Sequence, residues 1–265
     1  MFVADHSDPS RLAHELHAQR VSHRFVELGA RGLGAAVAAE LAGGFNRLAV
    51  VGRDPYLAEV IEAVIDAGLG GKVDVAIVSD RSDLGRTFAL ERGVLAAVGR
   101  MARGNLYPID AGVVEGGFGR VAFVNSVATG VLAGGPGWFP AWPRPLRVAG
   151  RVVVRAGTSP VETMASGMLV LNGQFWGDWI GAPRSTLVDG VVDLQLFTGA
   201  RRMLARLRPA FRTGMHVRGV GVRRLSIARA EVDQPRSWIV SVDGIRRGRG
   251  PFTVTVLPAV VRLAI

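Results

Sequence analysis

The side chains best suited to chemistry in this chain are aspartates set in turns. Asp54 follows the apolar run Leu48-Ala49-Val50-Val51 and a Gly52-Arg53 step, and it precedes Pro55 and a helical pattern carrying Leu57, Glu59 and Val60. Asp189 and Asp243 each stand before a glycine, in Val188-Asp189-Gly190 and Val242-Asp243-Gly244. A carboxylate can take the proton of a reacting hydroxyl or contribute to a divalent-cation site. Asp-Gly pairs are also ordinary hairpin-turn chemistry, and both readings stay open. His216 has no His or Cys neighbour at zinc spacing and reads as structural. With no cysteine, the chain lacks disulfides, thiolate metal sites and cysteine nucleophiles. Neither a Gly-x-Ser-x-Gly elbow nor a Ser/His/Asp order is present, so hydrolase chemistry has no support.

A dinucleotide fingerprint is suggested by Gly29, Gly32 and Gly34 after an apolar stretch, with Asp54 about twenty residues on. The spacing fails, because the third small residue belongs at position 37, which is Val37. A plain strand-to-helix turn is the better description.

These turns must be held by regular elements. Over the first hundred residues apolar runs alternate with helical patterns, as βαβ units of a parallel sheet require. The pattern predicts a helix through Gln19 capped by Asp8 or Ser10, strands over 24–28, Arg47–Val51 and 73–78, and helices over 33–42, 57–67 and 91–103, before a strand over 106–114. From residue 107 the texture changes to short alternating runs punctuated by glycine, at 120–128, 151–156, 168–172, 191–198, 222–228, 238–242 and 252–257, with one helix over 200–207. That pattern predicts an α/β domain over 1–106 and an antiparallel β domain over 107–265.

The stretch from Leu48 to Val60 is similar to the nucleotide loop of diacylglycerol and sphingosine-type lipid kinases, Gly-Gly-Asp-Gly-Thr followed by Leu-Asn-Glu-Val, with Gly52, Asp54, Leu57, Glu59 and Val60 matching. Ile109-Asp110-Ala111-Gly112 and Phe123-Val124-Asn125 with Gly130 resemble two further family strands. The run Leu171-Asn172-Gly173, Gly177, Ala182-Pro183, Asp189-Gly190-Val191-Val192-Asp193 resembles the family's Asn-Gly, Ala-Pro and Asp-Gly-x-Leu-Asp order, and Gly214-Met215-His216 and Val242-Asp243-Gly244 follow in the family's sequence. The resemblance implies a three-layer nucleotide-binding α/β domain, a C-terminal β-sandwich-like domain, and ATP-dependent phosphorylation of a lipid hydroxyl. It implies Asp243 as general base, Asp189 in the network that holds magnesium through water, and ATP against Gly52, Arg53, Asp54 and Ser82.

The departures have physical consequences. Arg53 and Tyr56 add bulk where phosphate approaches, and Pro55 removes an amide donor. In the second loop, Ser79-Asp80-Arg81-Ser82-Asp83, only Ser82 stands in for the family's threonine, and Asp80 and Asp83 put negative charge beside an anion. Ile245 replaces the glutamate that accompanies the base. The alternative reading is therefore a pseudokinase that binds lipid or a protein partner.

The formal charge is +10, nearly all of it arginine. Clusters at Arg201-Arg202-Arg206-Arg208-Arg212, Arg223-Arg224 and Arg246-Arg247-Arg249 suit anionic lipid headgroups, nucleic acid or a solvated surface. Trp138, Phe139 and Trp142 beside Arg144 suit a membrane interface or packing onto the β domain. The partner expected is a lipid substrate or membrane surface, a homodimer being compatible, with no specific nucleic acid. No signal peptide or membrane-spanning helix is read, so a cytoplasmic location is expected, with peripheral attachment at the inner membrane compatible.

Overall fold

The structure, a computed structural model, describes residues 2–4, 9–18, 20, 22, 24–26, 32–78, 82–136, 149–198 and 201–265. The cap at Asp8, the turn at Gly29, residues Ser79 to Arg81 and the aromatic stretch from Trp138 to Arg144 lie outside them. Two compact units result: 1–110 with 258–265, and 111–257. The expected boundary at 106/107 thus falls at 110/111, and the last eight residues return to the first unit.

The first unit is built on parallel strands β1 (Phe2–Ala4), β2 (Phe25–Val26), β3 (Arg47–Val51) and β4 (Asp74–Val78), in the order β2-β1-β3-β4. Their connections are α1 (Pro9–Ala18), α2 (Gly32–Ala42) and α3 (Asp54–Asp66), followed by α4 (Asp83–Thr87) and α5 (Val94–Arg103). β3 and β4 are almost wholly buried apolar strands, as a sheet covered on both faces demands. Ser10 falls inside α1.

Helix α3 starts three residues before its expected place. Arg53 is extended (φ −88°, ψ 168°) and Pro55 stands in the first turn, where a missing N–H is no loss. The buried residues Leu57, Val60, Ile61 and Val64 give the helix its inward stripe.

The second unit is a β-sandwich. Its strands are β5 (Leu106–Gly116), which begins in the first unit, β6 (Gly119–Phe123), β7 (Ser126–Gly130), β8 (Gly150–Arg155), β9 (Val161–Ala165), β10 (Gly167–Leu171), β11 (Phe175–Trp176), β12 (Trp179–Ile180) and β13 (Val192–Phe197). Helix α6 (Arg201–Arg212) and a 3-10 turn (Met215–Arg218) precede β14 (Val222–Ile227), β15 (Arg229–Asp233), β16 (Ile239–Val242), β17 (Ile245–Arg249) and β18 (Phe252–Ala264). One antiparallel sheet runs β14-β13-β10-β7-β16-β17. Facing it are β8, β9, β15, β5 with β6, and the first half of β18. Val152, Val154, Met168, Val170, Leu194, Leu196, Val240 and Val254 fill the space between the sheets. The outer face of the first sheet carries a second cluster with Trp176, Trp179, Phe197 and Phe211, covered by α6 and the β11–β12 hairpin.

Strand β18 explains the returning C-terminus. Its first half pairs with β15, whereas Arg262 and Leu263 pair in parallel with Asp74 and Val75. Between them Ala259 has φ +52°, with its amide donated to the Asp110 carboxylate at 2.9 Å. The buried Asp74 carboxylate is flanked by Arg47 at 3.4 Å and Arg262 at 2.5 Å, which ties the returning strand to the sheet.

Candidate functional site

Asp54 and Ser82, expected to share one site, do meet. Asp54 opens α3 just past β3, and Ser82 is the N-cap of α4 past β4, so both lie beyond the carboxyl ends of adjacent parallel strands. The Ser82 hydroxyl donates to Asp54 Oδ1 at 2.5 Å, while the amides of Asp83 and Leu84 donate to Oδ2 at 2.9 and 3.4 Å. Asp54 is 7% exposed. Burial pushes its carboxyl above the usual carboxylate range, against the pull of the Ser82 hydroxyl, the Asp83 and Leu84 amides, and the charge of Arg86.

The consequence for a phosphate is direct. A cradle needs amide hydrogens that face outward. Here the Gly52 amide donates to the Val78 carbonyl and that of Tyr56 to the Arg53 carbonyl, and Pro55 has none. In the second loop the Asp83 and Leu84 amides go to Asp54, that of Gly85 to the Ser82 hydroxyl at 2.8 Å, and that of Arg86 to the Ser82 carbonyl. The Asp83 carboxylate takes the Arg86 guanidinium at 3.3 Å. Of the turn's side chains, that of Arg53 is exposed to solvent. Gly52 has φ +147°, a backbone conformation that favours glycine. The amides of Gly52, Tyr56, Asp83, Leu84, Gly85 and Arg86 are thus engaged within the protein and do not fit a nucleotide's phosphates as they stand.

Asp243 lies in the β16–β17 hairpin. Val242 pairs with Ile245, and Asp243 and Gly244 form the two-residue loop at φ +45° and +82°, the left-handed pair of a type I′ turn. Its carboxylate reaches back to the segment before β7, accepting the amides of Val124 at 2.8 Å, Asn125 at 3.0 Å and Ser126 at 2.7 Å. Asn125 and Asn172 extend this tie: their side-chain amides donate to the carbonyls of Phe175 and Val124, and the Ser185 hydroxyl donates to the Asn172 carbonyl. The carboxylate proposed as base therefore orders a turn and its neighbouring loop. Ile245 is 39% exposed at the place where the family carries glutamate.

Asp189 is exposed, and its Oδ1 accepts the amide of Val191 at 3.2 Å across a turn closed by Gly190 at φ +72°. It stands at a cleft of about 240 Å³ lined also by Arg184, Ser185, Asp193, Arg224 and Ser226. The second carboxylate there, Asp193, is 8% exposed and held by both nitrogens of the Arg224 guanidinium fork. Among the described residues, no three His, Cys, Asp or Glu side chains gather as metal ligands would. Asp193 is thus already charge-paired and unsuited to magnesium, and Asp189 is a single exposed carboxylate beside it.

His216 is structural, as its sequence context suggests. Its ring is fully buried, stacks on Phe211 at 3.7 Å, and meets Gln195 Oε1 through Nε2 at 3.1 Å, with Gln195 Nε2 bonded in turn to the Gly181 carbonyl. Burial lowers its pKa to about 4. Sequence reasoning missed the Asp193–Arg224 and Gln195–His216 pairs. Their only signal is polar residues at alternate positions of β13, whose intervening Leu194 and Leu196 face the core.

The comparisons with known proteins agree with this architecture. Residues 143–265 match the family described as the YegS C-terminal NAD kinase beta sandwich-like domain. Among solved structures, three diacylglycerol kinase assignments from Bacillus anthracis strain Sterne superpose with TM-scores of 0.81, 0.76 and 0.76. Each match is 14% identical and covers 99% of this chain and 93%, 94% and 95% of the respective structure. No curated protein is significantly similar in sequence. The chain has the lipid-kinase type of fold, an α/β unit and a β-sandwich. Among the described residues no helix is long and apolar enough to cross a membrane.

Proposed function

We propose that this chain is a binding protein built on the lipid-kinase fold that does not transfer phosphate. The observation that supports it is the Asp54 carboxylate, which occupies the amides of Asp83 and Leu84 and the hydroxyl of Ser82. A carboxyl group that already takes these donors leaves none of them for the phosphate that the resemblance places there. The amide-saturated Asp243 and the guanidinium on Asp193 point the same way. Its partner is a lipid surface or a protein, and its place is the cytoplasm, at the inner face of the membrane.

A second reading is ATP-dependent phosphorylation of a lipid hydroxyl, as in a diacylglycerol kinase, with Asp243 as base. It is favoured by one observation: Asp54 and Ser82 converge beyond the carboxyl ends of β3 and β4, the edge at which open parallel sheets bind ligands. A perturbed buried carboxyl at such an edge is itself a functional signature. Calorimetric titration of Mg-ATP into the protein and into Asp54→Ala separates the two, together with transfer of labelled phosphate to diacylglycerol vesicles. The binding-protein reading expects no saturable heat with the native protein and no labelled lipid. Saturable binding lost in Asp54→Ala, with label on the lipid, establishes the kinase instead.

A further inference from the structure

Between Asp193 and Glu231 the chain holds nine arginines and no acidic residue, so this stretch alone supplies nine of the ten net positive charges. It folds as α6, the 3-10 turn and β14, all in the second unit. The corner from 210 to 222 is tightly made. The Thr213, Gly214, Gly219 and Val222 amides close successive short turns onto Ala210, Phe211, His216 and Gly219. Phe211, Gly214 and His216 face inward, and a Cβ on Gly214 would stand 2.7 Å from Pro183.

The residues between them are turned out. Met215 is 53% exposed and Val220 87%, the latter carried between Gly219 and Gly221. Arg212 and Arg218 are exposed beside them, and Arg208 is half-buried one turn back along α6. None of Arg208, Arg212 and Arg218 has a carboxylate partner among the described residues. Lone surface aliphatics are normal. Two at the tips of one rigid corner, set among unpaired arginines and far from any acid in sequence, are a different arrangement.

We propose that this corner docks the protein on an anionic lipid bilayer, with Met215 and Val220 entering the headgroup region and Arg212 and Arg218 meeting lipid phosphates. Interfacial binding combines buried apolar area with attraction to acidic lipids, and the corner offers both. A nucleic acid would use the arginines alone and leave the two aliphatic tips without a role. The inference goes beyond the reading of the phosphate loops: it holds whether or not phosphate is transferred, so vesicle binding and ATP binding fail separately.

The test is co-sedimentation with phosphatidylcholine vesicles with and without phosphatidylglycerol, folding of each variant being checked by circular dichroism. Binding should require phosphatidylglycerol, and Arg212→Gln and Arg218→Gln should each lower partitioning about five-fold. Val220→Asp should also weaken it. Because the chain has no cysteine, Val220→Cys carries a single polarity-sensitive dye, whose emission should shift blue on these vesicles, whereas the same dye on Met164→Cys should not respond. Absence of vesicle binding overturns the proposal, as does binding indifferent to phosphatidylglycerol or to these substitutions. Arginine-dependent binding to duplex DNA that ignores Val220→Asp, without vesicle binding, assigns the corner to nucleic acid and overturns it too.

Discussion

Each unit of this molecule buries a titratable side chain at the heart of its family-like turns, Asp54 in the first and His216 in the second. Asp54 is surrounded by donors, one hydroxyl and two amides, that favour its charged form, yet burial still pushes its carboxyl up. His216 has an aromatic stack, the Gln195 amide oxygen and backbone bonds to Gly181 and Ala210, and burial still pushes it down to about 4. In both, desolvation outweighs the local hydrogen bonds. The two units should therefore answer acid in opposite senses. For Asp54 the folded pKa lies above the unfolded one, so its stabilising contribution is complete below the unfolded value near 3.8 and is lost as pH rises through the folded pKa. For His216 the contribution is complete above 6.5 and is lost as pH falls toward 4.

Removing Asp54 should produce the largest effect. Asp54→Ala leaves the Ser82 hydroxyl and the Asp83 and Leu84 amides without their acceptor, at about 4 kcal/mol in a denaturant titration. Asp54→Asn keeps an oxygen toward the amides and should cost about 1 kcal/mol. A loss below about 1 kcal/mol in the alanine variant would mean that water satisfies those donors in place of the carboxylate. Sulfate should stabilise Asp54→Ala and leave the native protein unchanged.

The acid response of His216 comes next. A fall from 6.5 to about 4 corresponds to about 3 kcal/mol of stability surrendered between those pH values. Denaturant midpoints against pH should show this slope in the native protein and lose it in His216→Gln. A slope that persists in the variant assigns the acid sensitivity elsewhere and breaks the contrast between the units.

How much of this could be read from sequence varies by region. Strand β3, its glycine turn and the helix beyond were legible because a buried apolar run, a glycine and a helical stripe are local signals. The Asp243-Gly244 hairpin was legible for the same reason. The tasks of the aspartates were not. The Asp243 carboxylate bonds amides 117 to 119 residues away, and Asp54 meets Ser82 across 28 residues. No spacing rule connects such partners. The return of the C-terminus was hidden by Pro258, which reads as a strand terminator, whereas β18 runs through it with a left-handed Ala259 and an Asp110 bond. Helix α4 is five residues long with a central glycine, too short for periodicity to show.

A smaller effect sharpens the comparison from the side of the cation. Arg224→Met strips the guanidinium from Asp193, whose carboxylate is nearly buried while the arginine is 39% exposed, so about 1 to 2 kcal/mol is expected after allowance for solvent. If the guanidinium stands where a cation would otherwise sit, magnesium or calcium should raise the melting temperature of Arg224→Met and leave the native protein unmoved. Equal responses would mean that the pair is an ordinary cross-strand ion bridge.

Asp189 should give the smallest response, and that is its use. Its Oδ1 serves one amide in an exposed turn, a task that the side-chain oxygen of asparagine performs as well, so Asp189→Asn should change stability by less than about 0.5 kcal/mol. With stability held constant, any functional change reports on charge alone. The binding-protein reading expects none in vesicle partitioning, because Asp189 is not among the corner residues that meet the lipid. A kinase that recruits magnesium through this carboxylate expects phosphate transfer to fall while folding is untouched. The substitution that matters least to the fold thus discriminates most cleanly between a turn aspartate and a metal-network aspartate.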